Sequence, residues 1–179
     1  GYRDAKLPSK VLLESSELTP DTDYNIDHLV FSEAWHASSS DTQIADGGNT
    51  NDSDEYLAEE DNNYTFSSLG TSDYVYLGSN ERFTGVNFYL ATAGAGGAIT
   101  WEYWDGDSWE DLSGVEDVIA NSKDLENIKG AFKFNEPPDW TKKALTSGSD
   151  GVTGTRTIYW IRGDVTSAFS TPPVVDRMW

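Results

Sequence analysis

The chain has 179 residues, enough for one domain that buries most of its apolar surface without covalent staples. It has no cysteine, which excludes disulfides, thiol nucleophiles and cysteine-based metal sites. Its 31 acidic and 12 basic residues leave a net charge of −19, which repels phosphate backbones and anionic lipid, so neither nucleic acid nor membrane insertion is expected.

Such a charge keeps a protein hydrated but repels itself in the compact state. Concentrated salt offsets that cost, because the Debye length falls to about 3 Å at 1 M. A salt-adapted protein fits this balance, and so does an acidic extracellular protein from ordinary surroundings. Seven Trp, nine Tyr and seven Phe beside one Met favour strands over helices. No run of 18 apolar residues exists to cross a membrane, and no signal-peptide pattern opens the chain. Gly1 in place of Met points to a processed or trimmed start.

In chain order, residues 1–36 are mixed and read as an arm or as extra strands. Lys10 to Glu14 suits a short strand or one helical turn, Pro20 to Asp23 a turn, and Asp27 to Phe31 a strand. Residues 37–63 hold eight acids and no base, with Ser38-Ser39-Ser40 and Gly47-Gly48, and read as a solvated acidic loop. From residue 64 to 179 the strand signals become regular. Strands are expected at Tyr74–Gly78, at Phe83–Leu90 with Val86, Phe88 and Leu90 alternating, and at Ala98–Trp104. Asp105-Gly106-Asp107-Ser108 is a hairpin turn leading into Trp109. Residues 110–130, with Val115, Val118, Ile119 and Leu125 scattered, read as a helical or irregular insertion. Further strands are expected at Ala131–Phe134, Thr155–Arg162 and Pro172–Trp179, with Ile158, Trp160 and Arg162 on one face. Short strands punctuated by Gly and Pro predict a mainly β fold. That fold is an antiparallel, jelly-roll-like β-sandwich with a less regular N-terminal extension.

The aromatic skeleton of residues 73–179 carries a resemblance. It runs Tyr74-Val75-Tyr76-Leu77-Gly78, Trp101-Glu102-Tyr103-Trp104-Asp105-Gly106, Trp109, Phe132-Lys133-Phe134, Pro138-Asp139-Trp140, Tyr159-Trp160-Ile161-Arg162 and Pro172-Pro173-Val174. This pattern resembles a β-sandwich domain of structural proteins of tailed phages and tailed archaeal viruses, in head-surface, tail and baseplate components. The resemblance implies a virion protein that acts by assembly with copies of itself and with other virion proteins on an extracellular particle. Joined to the acidic bias, it implies a virus of a salt-loving host.

Physically, Trp101, Trp104, Trp109, Trp140 and Trp160 are expected in the core, each removing on the order of 150–250 Å² from water. The alternative is an exposed aromatic platform that stacks host-surface glycans, which would make the chain a carbohydrate-binding or host-recognition module. Catalysis finds little footing. His28 and His36 are the only histidines, and neither stands near a Gly-x-Ser-x-Gly elbow. Paired carboxylates could serve glycoside hydrolysis, but 31 acids single out no pair. The chain is therefore read as a non-enzyme without a cofactor.

Asp46, Asn49, Asn51, Asp52 and Asp54 place oxygen ligands along the acidic loop in partial likeness to a calcium loop. Asp105 and Asp107 form a weaker candidate cation site. The simpler reading of both is solvated acidic backbone. Asn51 and Asn63 head glycosylation sequons, which arise often by chance in such a segment. Gly94 to Ala98 lacks the Lys and the helix of a phosphate-binding loop and reads as a strand connection.

Overall fold

A computed structural model describes residues 31–37, 42–46, 64–66, 69–152 and 155–178. Eleven strands are present among them: β1 Glu33–Ala37, β2 Thr42–Asp46, β3 Tyr64–Thr65, β4 Tyr74–Ser79, β5 Gly85–Thr92, β6 Ala98–Trp104, β7 Trp109–Asp111, β8 Glu116–Asp117, β9 Lys129–Lys133, β10 Tyr159–Ser167 and β11 Val174–Met178. The described residues contain no helix. Residues 110–130 thus hold the end of β7, the short strand β8, a run of turns and the start of β9, which fits the irregular alternative for this insertion and not the helical one.

Two antiparallel sheets form. One has six strands in the order β2-β1-β4-β10-β6-β7, and the other has five in the order β3-β11-β5-β9-β8. From β4 onward the chain passes repeatedly between the sheets, so most neighbours in each sheet are distant in sequence. The result is the mainly β sandwich expected from the alternation pattern. The six-stranded sheet begins earlier than the sequence pattern implied. Residues 33–37 form β1, with Trp35 opposite Tyr76, and the stretch read as an acidic loop supplies β2 at Thr42–Asp46. The expected features at Lys10 to Glu14 and Pro20 to Asp23 lie outside the described residues, as does the strand expected at Asp27–Phe31 except Phe31, which stands outside any strand.

The space between the sheets is filled by alternate residues of each strand. Val75 and Leu77 of β4, Ile99 and Trp101 of β6, and Ile161 and Val165 of β10 face Val86, Phe88 and Leu90 of β5, Phe132 of β9 and Val175 of β11. Trp101 stacks on Phe132 across the gap, with ring centroids 4.9 Å apart. Two glycines make this closeness possible. Gly130 stands opposite Phe88 in the β5–β9 register, and a Cβ there would collide with the Phe88 ring. At Gly163 a Cβ would lie 2.8 Å from Ile99 Cγ2.

The opposite face of the six-stranded sheet is also covered. The connection before β10 lays Leu145, Val152 and Ile158 over Trp35, Tyr76 and Trp160, forming a second apolar cluster. Lys143 and Ile158 bridge backbone to backbone and hold this cover in place. A sheet covered on both sides needs apolar or aromatic residues on both, which explains why β4 is buried along Val75–Gly78.

Candidate functional site

The antiparallel register places the six-stranded sheet's outward residues in rows. Arg162 of β10 lies between Tyr76 of β4 and Glu102 of β6, while Trp104 of β6 faces Trp109 of β7. Nε of Arg162 donates to Glu102 Oε2 at 2.6 Å, and Nη2 lies 2.6 Å from the same oxygen in an ion pair. The same guanidinium lies 4.5 Å from the ring centroids of Tyr74 and Trp109. Arg162 thus both pairs and snorkels, with its charge held by a carboxylate and its plane held by two rings. Burial pushes the Glu102 carboxyl up, and the Arg162 guanidinium draws it partly back.

Asp150 organises the adjoining cover. Its side chain is buried. Oδ1 accepts the Trp109 indole N–H at 3.0 Å, and Oδ2 accepts the Thr146 backbone N–H at 2.9 Å. Lys143 Nζ lies 3.4 Å from Oδ2, and the Asp150 carbonyl accepts the Tyr76 hydroxyl at 2.9 Å. Burial alone would raise the Asp150 carboxyl. The Thr146 and Trp109 hydrogen bonds, with the Lys143 ammonium, outweigh it and hold the group below the ordinary carboxylate range. Burial also pushes the Tyr76 phenol well above its usual range.

The five singled-out tryptophans divide into two groups. Trp101, Trp140 and Trp160 are buried, and their indole N–H groups donate to the carbonyls of Lys123, Trp160 and Lys143 respectively. Trp104 and Trp109 are half-buried, with ring centroids 5.6 Å apart and planes at 66°. Lys143 Nζ lies 3.7 Å from the Trp104 centroid, and Arg162 occupies a face of Trp109. These two rings are thus neither coplanar nor bare, as a sugar-stacking pair would be.

Asp105, a candidate cation ligand, lies in the turn between β6 and β7. Its Oδ1 accepts the backbone N–H groups of Asp107 and Ser108 at 2.7 Å each, closing the turn before β7. Those bonds hold its carboxyl below the ordinary range. Gly106 supplies the positive φ of 118° that the turn needs. Asp107 stands on the same turn and donates its N–H to that bond. Asp46 lies in β2, and Asn49, Asn51, Asp52 and Asp54 lie outside the described residues, as do His28 and the sequon residues Asn51 and Asn63. Among the described residues, no three His, Asp or Glu side chains converge as metal ligands would.

His36 is buried on β1 facing the main core. Its Nδ1 lies 3.2 Å from the Tyr64 hydroxyl, and its ring meets Phe66 edge-on. Nε2 has no hydrogen-bond partner and stands 3.9 Å from Asp73 Oδ2. Its ring packs against Phe66 and Tyr64.

One exposed apolar feature remains. Val118, Ile119 and Ile128 are the large hydrophobic side chains most open to water among the described residues, at 61%, 40% and 40% exposure. Of the three, Ile119 borders the outer face of the five-stranded sheet. There Asn87, Tyr89, Ile119, Lys129 and Ala131 line a shallow depression of ≈ 360 Å³. Sequence patterning noted Val118 and Ile119 only as scattered apolar positions, because turns have no periodicity that separates an exposed face from a buried one. Comparison with known proteins adds no relative: no family model, curated protein or solved structure matches the chain.

Proposed function

We propose that this chain is a structural module of a virion surface, a capsid decoration, turret, tail or baseplate component that works by assembling with copies of itself. The observation that carries the reading is the placement of the aromatic skeleton. Trp101, Trp140 and Trp160 are committed to the interior with their N–H groups bonded, while the exposed apolar surface lies elsewhere, at Val118, Ile119 and Ile128. A ligand-stacking module would present rings outward, whereas the large apolar side chains most open to water among the described residues here are aliphatic. The virion setting rests on the resemblance of the skeleton to structural proteins of tailed viruses. The charge of −19 adds a condition, since copies of such a chain repel one another unless salt screens them.

Sedimentation velocity across a KCl series from low to molar concentration tests the proposal. Association that strengthens with salt supports it, and a single-chain species throughout removes it. The carbohydrate-binding reading keeps one foothold in the half-buried Trp104 and Trp109. A glycan array separates the two, because an assembly module gives no signal there.

A further inference from the structure

We infer that His36 is a proton-operated latch: a proton taken up at Nδ1 displaces the Tyr64 hydroxyl and loosens the strand β3 from the sandwich. The latch acts within one chain and does not depend on the assembly reading. β3 has a slender hold on its own sheet. It is two residues long, stands last in the strand order and pairs with β11 only at Val174 and Val175. The next residue, Phe66, donates its N–H to the Pro173 carbonyl at a long 3.4 Å. His36 joins this segment to β1 of the other sheet. Its ring meets Tyr64 and Phe66 edge-on, and Nδ1 lies 3.2 Å from the Tyr64 hydroxyl.

The surroundings fix where the ring's hydrogen sits. A neutral imidazole has one N–H and one lone pair. Nε2 is buried without a hydrogen-bond partner and lies 3.9 Å from Asp73 Oδ2. That oxygen accepts the Gly70 N–H at 2.7 Å, which holds it in place. The carboxylate repels a lone pair on Nε2 and attracts an N–H there. The hydrogen therefore belongs on Nε2, and Nδ1 carries the lone pair that accepts from the Tyr64 hydroxyl. A second proton enters only at Nδ1, and its entry removes the acceptor of that bond. The titratable groups that face the ring among the described residues are Tyr64 on β3 and Asp73 before β4. Its register partners on β2 and β4 are Thr42 and Val75, neither of which titrates. Burial holds the ring below its ordinary 6.5 while Asp73 opposes, so the latch is closed at neutral pH. An opening that carries His36 to water restores the ordinary value. Such an opening takes up a proton as pH falls below 6.5, and grows by up to about tenfold per pH unit until the folded value is reached.

Two measurements on the full chain test this. Long-range proton–nitrogen NMR spectra of the imidazole at neutral pH should show the hydrogen on Nε2. Hydrogen exchange, corrected for the intrinsic rate, compares opening at the Phe66 amide with that at Leu90, whose N–H donates to the Ile128 carbonyl. Phe66 should open more readily than Leu90, and its opening should grow as pH falls below 6.5. In His36→Phe the Phe66 profile should be flat. In Asp73→Asn, which keeps an acceptor for Gly70, the rise should continue to lower pH before it levels, because the charge that favours the proton is gone. Should His36→Phe fail to fold, Asp73→Asn and the NMR spectra still decide. A hydrogen on Nδ1, a flat Phe66 profile in the parent, an unmoved plateau in Asp73→Asn or the same rise in His36→Phe overturns the latch. Equal opening at Phe66 and Leu90 at every pH also overturns it, because the proton is then taken up only by global unfolding.

Discussion

The indole N–H of Trp109 donates to Oδ1 of Asp150 at 3.0 Å, across 41 residues of chain. This bond ties the β6–β7 hairpin to the cover of the six-stranded sheet. The same carboxylate also meets Thr146 and Lys143, so one buried acid holds three groups in register. Asp150→Ala leaves the Lys143 ammonium without its carboxylate and the Trp109 N–H without an acceptor. The expected cost is about 3 kcal/mol, measured as the shift in urea unfolding at pH 7. A loss under about 0.5 kcal/mol would mean that water replaces the carboxylate freely.

The depressed pKa of Asp150 sets a second expectation. Its carboxyl ionises more readily in the fold than in the unfolded chain, so its contribution is present above the ordinary Asp value of 3.8. That contribution is lost as pH falls through the lower folded value. Against Asp150→Asn, the parent's stability advantage should shrink below about pH 4 and vanish in stronger acid. An advantage constant from pH 7 to pH 2 would contradict this.

His36 acts in a different window. Burial lowers its pKa from 6.5, and the nearby Asp73 carboxylate opposes the shift. The unfolded chain therefore takes up a proton first as pH falls, and the fold loses stability below about pH 6.5. In urea, the midpoint should fall from pH 7.5 to pH 5.5. His36→Phe, which keeps an aromatic ring against Phe66, should flatten that slope. Equal slopes for parent and variant would remove His36 as the cause.

Glycine substitutions should rank by local space. Gly130→Ala forces a methyl into the Phe88 ring and should cost about 1–3 kcal/mol or more. Gly148 has nothing within 4 Å of an added Cβ, so Gly148→Ala should stay within about 0.5 kcal/mol of the parent. Thermal unfolding of the two variants side by side checks the order.

The parts of the fold legible in the sequence are those where alternation and turn chemistry act locally. Val86, Phe88 and Leu90 face inward as their period of two requires, and Asp105-Gly106 closes the hairpin it signals. Ile158, Trp160 and Arg162 share one face of β10 and its approach, though the strand starts at Tyr159 and continues to Ser167. β1 and β2 were hidden for a physical reason. Glu33 is a buried acid, held by the Trp35 indole and the Arg156 backbone N–H, and sequence alone reads an acid as solvent-facing. Thr42–Asp46 lies within acidic, Ser- and Gly-rich sequence, and its strand exists through pairing with β1. The second apolar cluster was equally hidden, because a loop that covers a sheet has no periodic signature. The exposed aliphatic positions escaped for the same reason, since exposure at Val118 depends on what the tertiary fold leaves uncovered.

Self-assembly of this sandwich is the function we propose. The most direct measurement is the light-scattering mass of the full chain in molar KCl at several protein concentrations. A mass above that of one chain is the predicted result. The mass of one chain at every concentration and every salt level would contradict it.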